Sequence, residues 1–207
     1  GGRGLAAWFT FEPGTLALSE ASTHKRASLH VVDGRAALAD HDPGGLEPLT
    51  ATPEAFAARL RSANHTLKRA LCDPKLFAGI GNAWSDEILR SAGLSPLALT
   101  RKLTDEQVAR LHEATVYELL EGLTRLRREC GEGWPKPELI TAFAPEHKVH
   151  GRYGQPCGAC GTPVARIVYA ERETNYCPRC QTGGRLLADR SLSRLLRDEW
   201  PRYIDEA

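Results

Sequence analysis

Four of the six cysteines lie in two Cys-x2-Cys pairs separated by sixteen residues, and this spacing constrains the fold more than any other feature of the chain. A two-residue gap lets both thiolates of a pair face one ion, and the stretch between the pairs has the length of a β-hairpin. Four thiolates at about 2.3 Å make a closed tetrahedral site that leaves no position for water. The sequence therefore predicts one structural zinc ion, bound by Cys157, Cys160, Cys177 and Cys180.

Two other uses of paired thiols fit this chain less well. Disulfides belong to oxidising compartments, whereas the sequence shows no charged-then-apolar leader and no run of 18 apolar residues. We therefore expect a cytoplasmic protein with no membrane partner, associated with the nucleoid if it is bacterial. Redox catalysis by a single Cys-x2-Cys pair does not need the second pair.

The formal net charge of +1 does not by itself indicate a nucleic-acid-binding protein, but the charge is unevenly distributed. Nine Lys and Arg residues lie between positions 145 and 197, against four acidic residues. This excess predicts a local basic patch of the kind that binds phosphate. A solvated surface with no partner is the alternative.

The first 50 residues have the pattern of strands followed by a linker. Leu5–Phe11 and Leu16–Ser19 flank a Pro-Gly turn, and Ala27–Val32 precedes an Asp33-Gly34 turn. Residues 40–50 are rich in Pro and Gly and predict a linker.

The chain then becomes helical. Thr52 followed by Pro is a good helix start, and Thr104 followed three residues later by Gln107 has the form of a capping box. Another amphipathic helix is predicted over Leu186–Trp200, near the C-terminus.

A glycine-rich turn separates two further helical segments within residues 67–96. Gly79 and Gly81 let backbone amides approach a ligand closely, and Asn82 begins the following helix. Exposed amides at a helix start favour anions, so we interpret this turn as a contact for a backbone phosphate.

Two stretches together resemble one known family. The Gly-Ile-Gly-Asn turn, the later VHGRYGQPCGACGTPV and the following YAERETNYCPRCQ resemble the formamidopyrimidine-DNA glycosylase / endonuclease VIII family over roughly residues 52–181. The resemblance implies an α+β fold with a remnant of an N-terminal β-sandwich, a helix–two-turn–helix domain and a C-terminal four-cysteine β-hairpin zinc finger. We expect these parts over residues 1–50 (with the linker), 51–140 and 141–184, followed by a C-terminal helix and tail over 185–207.

The same resemblance implies a base-excision-repair enzyme that is a monomer in its full-length form. Members bind duplex DNA containing damaged bases or abasic sites. They flip out an oxidised base, cleave the glycosidic bond and nick the strand as abasic-site lyases.

The resemblance also implies roles for individual residues. Asn82 corresponds to the turn asparagine that contacts phosphate, and Lys68 to a lysine facing the lesion strand. Arg172 corresponds to the finger arginine, which binds phosphate and is implicated as a proton donor in the last elimination step. Lys25 and Arg26 fall near the basic loop that enters the duplex; a solvated pair is the alternative for these two.

One departure from the family bears on activity. The family's nucleophile is an N-terminal proline and its acid/base is the glutamate that follows, whereas this sequence begins Gly1-Gly2. We therefore expect the chain to be the C-terminal two thirds of a glycosylase/lyase and to be inactive alone. The alternatives are a non-catalytic zinc-finger DNA-binding protein of the same fold and an unrelated zinc-ribbon protein of a ribosome or transcription complex.

Overall fold

The computed structural model describes residues 5–20, 25, 27–133, 135–136, 143–169, 172–188 and 201–206. The chain forms two compact units, one of residues 1–42 with 132–134 and one of residues 43–131 with 135–207. Helices and strands occupy separate stretches of the chain, which confirms the predicted α+β class.

The first unit is built on an antiparallel hairpin. Strands β1 (Leu5–Phe11) and β2 (Gly14–Ser19) are joined by a two-residue loop, with Phe11 opposite Gly14. The two strands and the turn predicted here are thus confirmed. Five large apolar side chains of the hairpin are exposed: Leu5, Trp8 (66%), Phe11, Leu16 and Leu18.

The third predicted strand, Ala27–Val32, does not form. Residues 27–32 have no regular structure, and the chain continues through a turn into a 3-10 helix, Ala36–His41. A strand needs a partner for its backbone hydrogen bonds, but the sheet that contains β1 has only β2 as its second strand among the described residues. Val31 is accordingly 91% exposed.

The predicted linker, residues 40–50, is held at Gly45 and Leu46 by contacts with residues 74–78. The amide of Leu46 donates to the carbonyl oxygen of Leu76 (2.9 Å), and the amide of Ala78 donates back to Leu46 (2.9 Å). A Cβ on Gly45 would lie 2.3 Å from the carbonyl oxygen of Pro74, so this close approach requires glycine.

Local capping fixes where two helices of the second unit begin. The Thr52 hydroxyl accepts from the backbone at the start of α1 (Pro53–Ser62). Thr104 and Gln107 form the predicted capping box at the start of α4 (Asp105–Cys130). Both predicted helix starts are confirmed.

No helix in the described ranges is long and apolar enough to cross a membrane.

Two shorter helices flank the glycine turn, as predicted: α2 (Leu67–Leu71) and α3 (Asn82–Ala92). Gly79 has φ +74°, a conformation that side chains disfavour. The four helices enclose one apolar core, whose fully buried members include Phe56, Leu60, Leu67, Leu71, Ile88, Leu89 and Leu111.

The four-cysteine segment folds as a hairpin and a short helix. Strands β3 (Ala165–Tyr169) and β4 (Arg172–Tyr176) pair antiparallel, and α5 (Pro178–Thr182) follows. This confirms the hairpin predicted between the two cysteine pairs. A second small core contains Val149, Val164, Cys157 and Cys177.

The chain end returns to the finger. The amide of Leu186 donates to Arg202 (2.8 Å), and that of Ile204 donates to Gly184 (2.9 Å). Residues 186–188, within the predicted helix Leu186–Trp200, are therefore irregular. The remaining positions of that prediction, 189–200, lie outside the described residues.

Candidate metal centre and nucleic-acid interface

The four predicted ligand sulfurs are clustered. All four Sγ atoms lie within 4.8 Å of one another, and those of Cys160 and Cys177 are 3.4 Å apart. The edge of a tetrahedron with arms of about 2.3 Å is about 3.8 Å, so the cluster fits a Zn(Cys)4 site. Two of the ligands, Cys157 and Cys177, are buried. When bound, zinc would be held by all four thiolates and would cross-link the two cysteine pairs.

The four thiols differ in their surroundings. Burial favours the neutral form of Cys157, but hydrogen bonds from the Ala159 amide and from Arg90 outweigh it and lower the pKa of Cys157 to about 6. Burial instead raises the pKa of Cys177. The Nη2 of Arg90 lies 3.2 Å from the Cys157 sulfur. One positively charged side chain of α3 therefore reaches a predicted metal ligand.

The glycine turn meets the finger at Asn82. Its side-chain Nδ2 donates to the carbonyl oxygen of Glu173 in β4 (3.1 Å). Glu173 directly follows Arg172, the first residue of β4. The backbone of Arg172 pairs with Tyr169; the side chain of Arg172 lies outside the described part of the structure. The fold thus places Asn82 against the strand that begins with Arg172, which lies 90 positions later in the sequence.

Lys68 lies beneath this turn, and its ammonium group is fully engaged. Nζ donates to the Asn82 carbonyl oxygen (2.6 Å), the Ser85 hydroxyl (2.8 Å) and Asp86 Oδ1 (2.6 Å). An ammonium group has three hydrogens, so none is left for a phosphate in this arrangement. Only 12% of the Lys68 side chain is exposed.

Asp86, which the sequence analysis did not identify, links Lys68 to the finger. Its side chain is fully buried. Its Oδ2 accepts from His150 Nδ1 (2.8 Å) and from the backbone amide of Asn175 in β4 (3.1 Å). The side chain of Asn175 in turn accepts from the Gly151 amide (2.7 Å).

The neighbouring Glu87 was also missed. Its two carboxylate oxygens accept from three consecutive backbone amides, those of Lys148 (2.6 Å), Val149 (3.0 Å) and His150 (2.8 Å). Glu87 is only 2% exposed. It holds the segment that leads into the first cysteine pair.

A sequence signal for part of this network does exist. Asn82, Asp86 and Arg90 recur every four residues, a spacing that places side chains on one face of a helix. This polar stripe binds the finger along the length of α3.

The two basic residues predicted near the N-terminus lie in the other unit. The Lys25 ammonium donates to the backbone carbonyl of Glu20, and Lys25 is exposed. Arg26 lies outside the described residues.

Two family models match the chain on these parts. The formamidopyrimidine-DNA glycosylase H2TH domain matches residues 45–128, and the zinc finger found in FPG and IleRS matches residues 154–183. The first covers the helices and the glycine turn, and the second covers the cysteine hairpin.

Proteins with similar sequences are also named as formamidopyrimidine-DNA glycosylases or as glycosylase-like proteins. An uncharacterized formamidopyrimidine-DNA glycosylase-like protein of Mycobacterium tuberculosis is 40% identical over 74% of this chain and 94% of its own length. The formamidopyrimidine-DNA glycosylase of Thermus thermophilus is 35% identical over 87% of this chain and 74% of its own length.

Solved structures agree with the sequence comparison. The crystal structure of the MutM (Fpg) protein from Thermus thermophilus matches with a TM-score of 0.62 and 31% identity, over 87% of this chain and 70% of that one. A complex between Lactococcus lactis Fpg and DNA containing an abasic site matches with a TM-score of 0.58 and 26% identity, over 71% of this chain and 55% of that one. Because both family models and the relatives that match 74% and 87% of the chain agree, the chain belongs to the formamidopyrimidine-DNA glycosylase family of DNA repair proteins.

Proposed function

We propose that the protein is part of a base-excision-repair DNA glycosylase with abasic-site lyase activity, which acts on oxidised bases in duplex DNA. The observation that carries this proposal is the hydrogen bond from Asn82 to Glu173. It sets the start of α3, whose first amides favour a phosphate, beside the strand that begins with Arg172. We expect these two elements to contact the same DNA backbone.

The proposed DNA contacts follow from this arrangement. Asn82 and Arg172 contact backbone phosphates, and Arg172 also donates a proton in the elimination step. Lys68 faces the lesion strand, and because its three hydrogens are already bound internally, it exchanges one of these partners when DNA binds. Lys25 and Arg26 contribute from the N-terminal unit.

We propose one zinc ion per chain with a purely structural role. The donor set of four thiolates leaves no open coordination position, so it suits a scaffold rather than a reacting centre. The ion would fix the ends of the β3–β4 hairpin and thereby the position of Arg172.

Excision needs a nucleophile at the sugar carbon and a positioned acid. The family's proline–glutamate pair has no counterpart at the start of residues 1–207. We therefore propose that these 207 residues, as an isolated polypeptide, bind DNA without excising the base, and that the full-length protein is a monomer.

A non-catalytic DNA-binding protein of the same fold is the second candidate. The match to the Mycobacterium tuberculosis relative favours it, because that match extends over 94% of the relative. The matched part of this chain therefore accounts for nearly the whole of that Mycobacterium tuberculosis relative.

Borohydride trapping on duplex DNA with an abasic site tests the first proposal, because it captures a Schiff base only where an amine has attacked. We expect these 207 residues to bind without being trapped, and a polypeptide that also carries a family Pro-Glu segment to be trapped. Trapping of the 207 residues at Gly1 or Lys68 would contradict the proposed inactivity. Absence of any binding would contradict the DNA interface itself.

Alanine variants test the interface residue by residue. Arg172→Ala should weaken binding and reduce the slope of log K against log salt by about 0.9, since one phosphate contact is lost. Asn82→Ala should weaken binding with little change of slope, because asparagine is neutral. Arg110→Ala, at an exposed position of α4, is the charge-matched control and should leave binding unchanged.

A further inference from the structure

Arg90 connects the helical domain to the metal centre. It lies on α3 two turns after Asn82, and its Nη2 is 3.2 Å from the sulfur of Cys157. Its Nε is buried and has no hydrogen-bond partner among the described residues. Within the described ranges, the polar side-chain partner of Arg90 is the Cys157 sulfur.

The negative charge of a zinc site with four thiolates favours a positively charged partner such as Arg90. Four thiolates around Zn²⁺ carry a formal charge of −2, and two of these ligands are buried. A buried net charge is costly unless it is paired. The guanidinium group of Arg90 supplies one compensating positive charge, and a charge-assisted hydrogen bond is roughly twice as strong as a neutral one.

The contact also ends a series of attachments along α3. Asn82 and Asp86 bind the backbone of β4, and Glu87 binds residues 148–150. Next to Arg90, the helix ends at Gly93, where an added Cβ would lie 3.6 Å from the carbonyl oxygen of Cys180. The C-terminal end of α3 thus contacts a cysteine of each pair, Cys157 of the first and Cys180 of the second.

We propose that Arg90 is an outer-sphere positioning residue of the zinc centre, which hydrogen-bonds the Cys157 thiolate and strengthens retention of the metal. This inference rests on the zinc site proposed above. Arg90 does not ligate the metal; it orients the ligand and lowers the electron density on its sulfur. Partners of this kind typically change metal affinity by about 10–100-fold.

The test uses the full 207-residue chain with Arg90→Lys, Arg90→Gln and Arg90→Leu. Zinc affinity is measured by competition with a chelator. Arg90→Leu should bind zinc about 10–100-fold more weakly. Arg90→Gln and Arg90→Lys should fall between Arg90→Leu and the wild type, because each keeps a donor.

A spectroscopic measurement separates this role from simple packing. In the cobalt(II)-loaded protein, the thiolate-to-metal charge-transfer band reports the electron density on the sulfurs. Loss of the hydrogen bond in Arg90→Leu should move this band to lower energy. A residue that only packs against the finger would change stability without moving the band.

Arg166→Leu is the matched control. It removes one positive charge from the same finger, but the Arg166 side chain is 44% exposed and pairs with Glu173. It should change neither the zinc affinity nor the cobalt spectrum. Equal effects of Arg166→Leu and Arg90→Leu would overturn the proposal.

The remaining outcomes are also decisive. If Arg90→Leu does not fold, Arg90→Gln and Arg90→Lys carry the measurement, since each keeps a polar donor at this position. Wild-type affinity and an unshifted band in every Arg90 variant that folds would overturn the inference while leaving the zinc site standing. Lack of stoichiometric zinc in the wild-type protein would instead refute the zinc site itself.

Discussion

Substitution of Glu87 should destabilise the second unit more than any exposed charge change. The carboxylate accepts three hydrogen bonds from consecutive amides, and the residue is 2% exposed. Removal of the acceptor leaves three N–H groups unsatisfied; those of the buried residues Val149 and His150 cost about 1–3 kcal/mol each, and that of the exposed residue Lys148 costs less. Water entering the cavity recovers part of this, so we expect Glu87→Ala to lower the free energy of unfolding by about 3–5 kcal/mol.

Glu87→Gln gives an intermediate and more informative result. Its single carbonyl oxygen can keep the bonds to Val149 and His150, which share Oε1. Its NH2 group then faces the amide of Lys148, a donor opposite a donor. Loss of this one bond to a charged acceptor should cost about 1.5–3 kcal/mol.

Urea unfolding gives the global stability, and hydrogen exchange followed by NMR locates the effect. In Glu87→Gln the amide of Lys148 should exchange faster than those of Val149 and His150, whereas in Glu87→Ala all three should lose protection. Glu121→Gln, at an exposed position of α4, is the control and should stay within about 0.5 kcal/mol of the wild type. The reasoning fails if Glu87→Ala matches this control, or if the three amides remain protected in it.

Three further results are expected. Asp86→Asn should cost about 3–5 kcal/mol in urea unfolding, because it leaves the ammonium of Lys68 buried without its carboxylate; Asp105→Asn, at an exposed ion pair, should cost less than about 1 kcal/mol. Removal of zinc by a strong chelator should unfold residues 154–183 while the core formed by α1–α4 persists, because the two parts have separate cores. Far-ultraviolet circular dichroism and hydrogen exchange would follow this change. Unfolding of the whole second unit would contradict the independence of the two cores. Burial lowers the pKa of His147, so the unfolded chain binds a proton there at higher pH than the folded chain does. The free energy of unfolding should therefore fall as the pH drops below about 6.5. His147→Gln should reduce this pH dependence, and an unchanged dependence of the free energy of unfolding on pH would refute the prediction.

The features that were predictable from the sequence are those set by neighbouring residues. Thr52 and Thr104 cap their helices with atoms three positions away, and the cysteine spacing alone predicted the hairpin and the four clustered sulfurs. The strand predicted at Ala27–Val32 failed because a strand also depends on a partner elsewhere in the chain.

The network on α3 was harder to predict for a physical reason. Glu87 binds backbone amides 61 to 63 positions away, and a backbone amide has no sequence identity to recognise. Lys68 illustrates the same limit. The family resemblance predicted only that it faces the lesion strand, and no local pattern indicated that Asp86, 18 residues later, binds it internally.

These contacts also explain why the positions of the turn and of the finger are coupled, although each part has its own core. Asn82 binds β4, Asp86 binds both Lys68 and β4, and Arg90 binds a cysteine of the metal site. A shift of the finger relative to α3 would therefore break bonds at both ends of one helix. Because α3 is one continuous helix of 11 residues, the proposed zinc centre at one end and the proposed phosphate contact at the other are held in a fixed relation. The effect of metal loss on DNA affinity should accordingly pass through α3. A variant such as Glu87→Ala should weaken DNA binding, although Glu87 is buried and is not itself a proposed DNA contact.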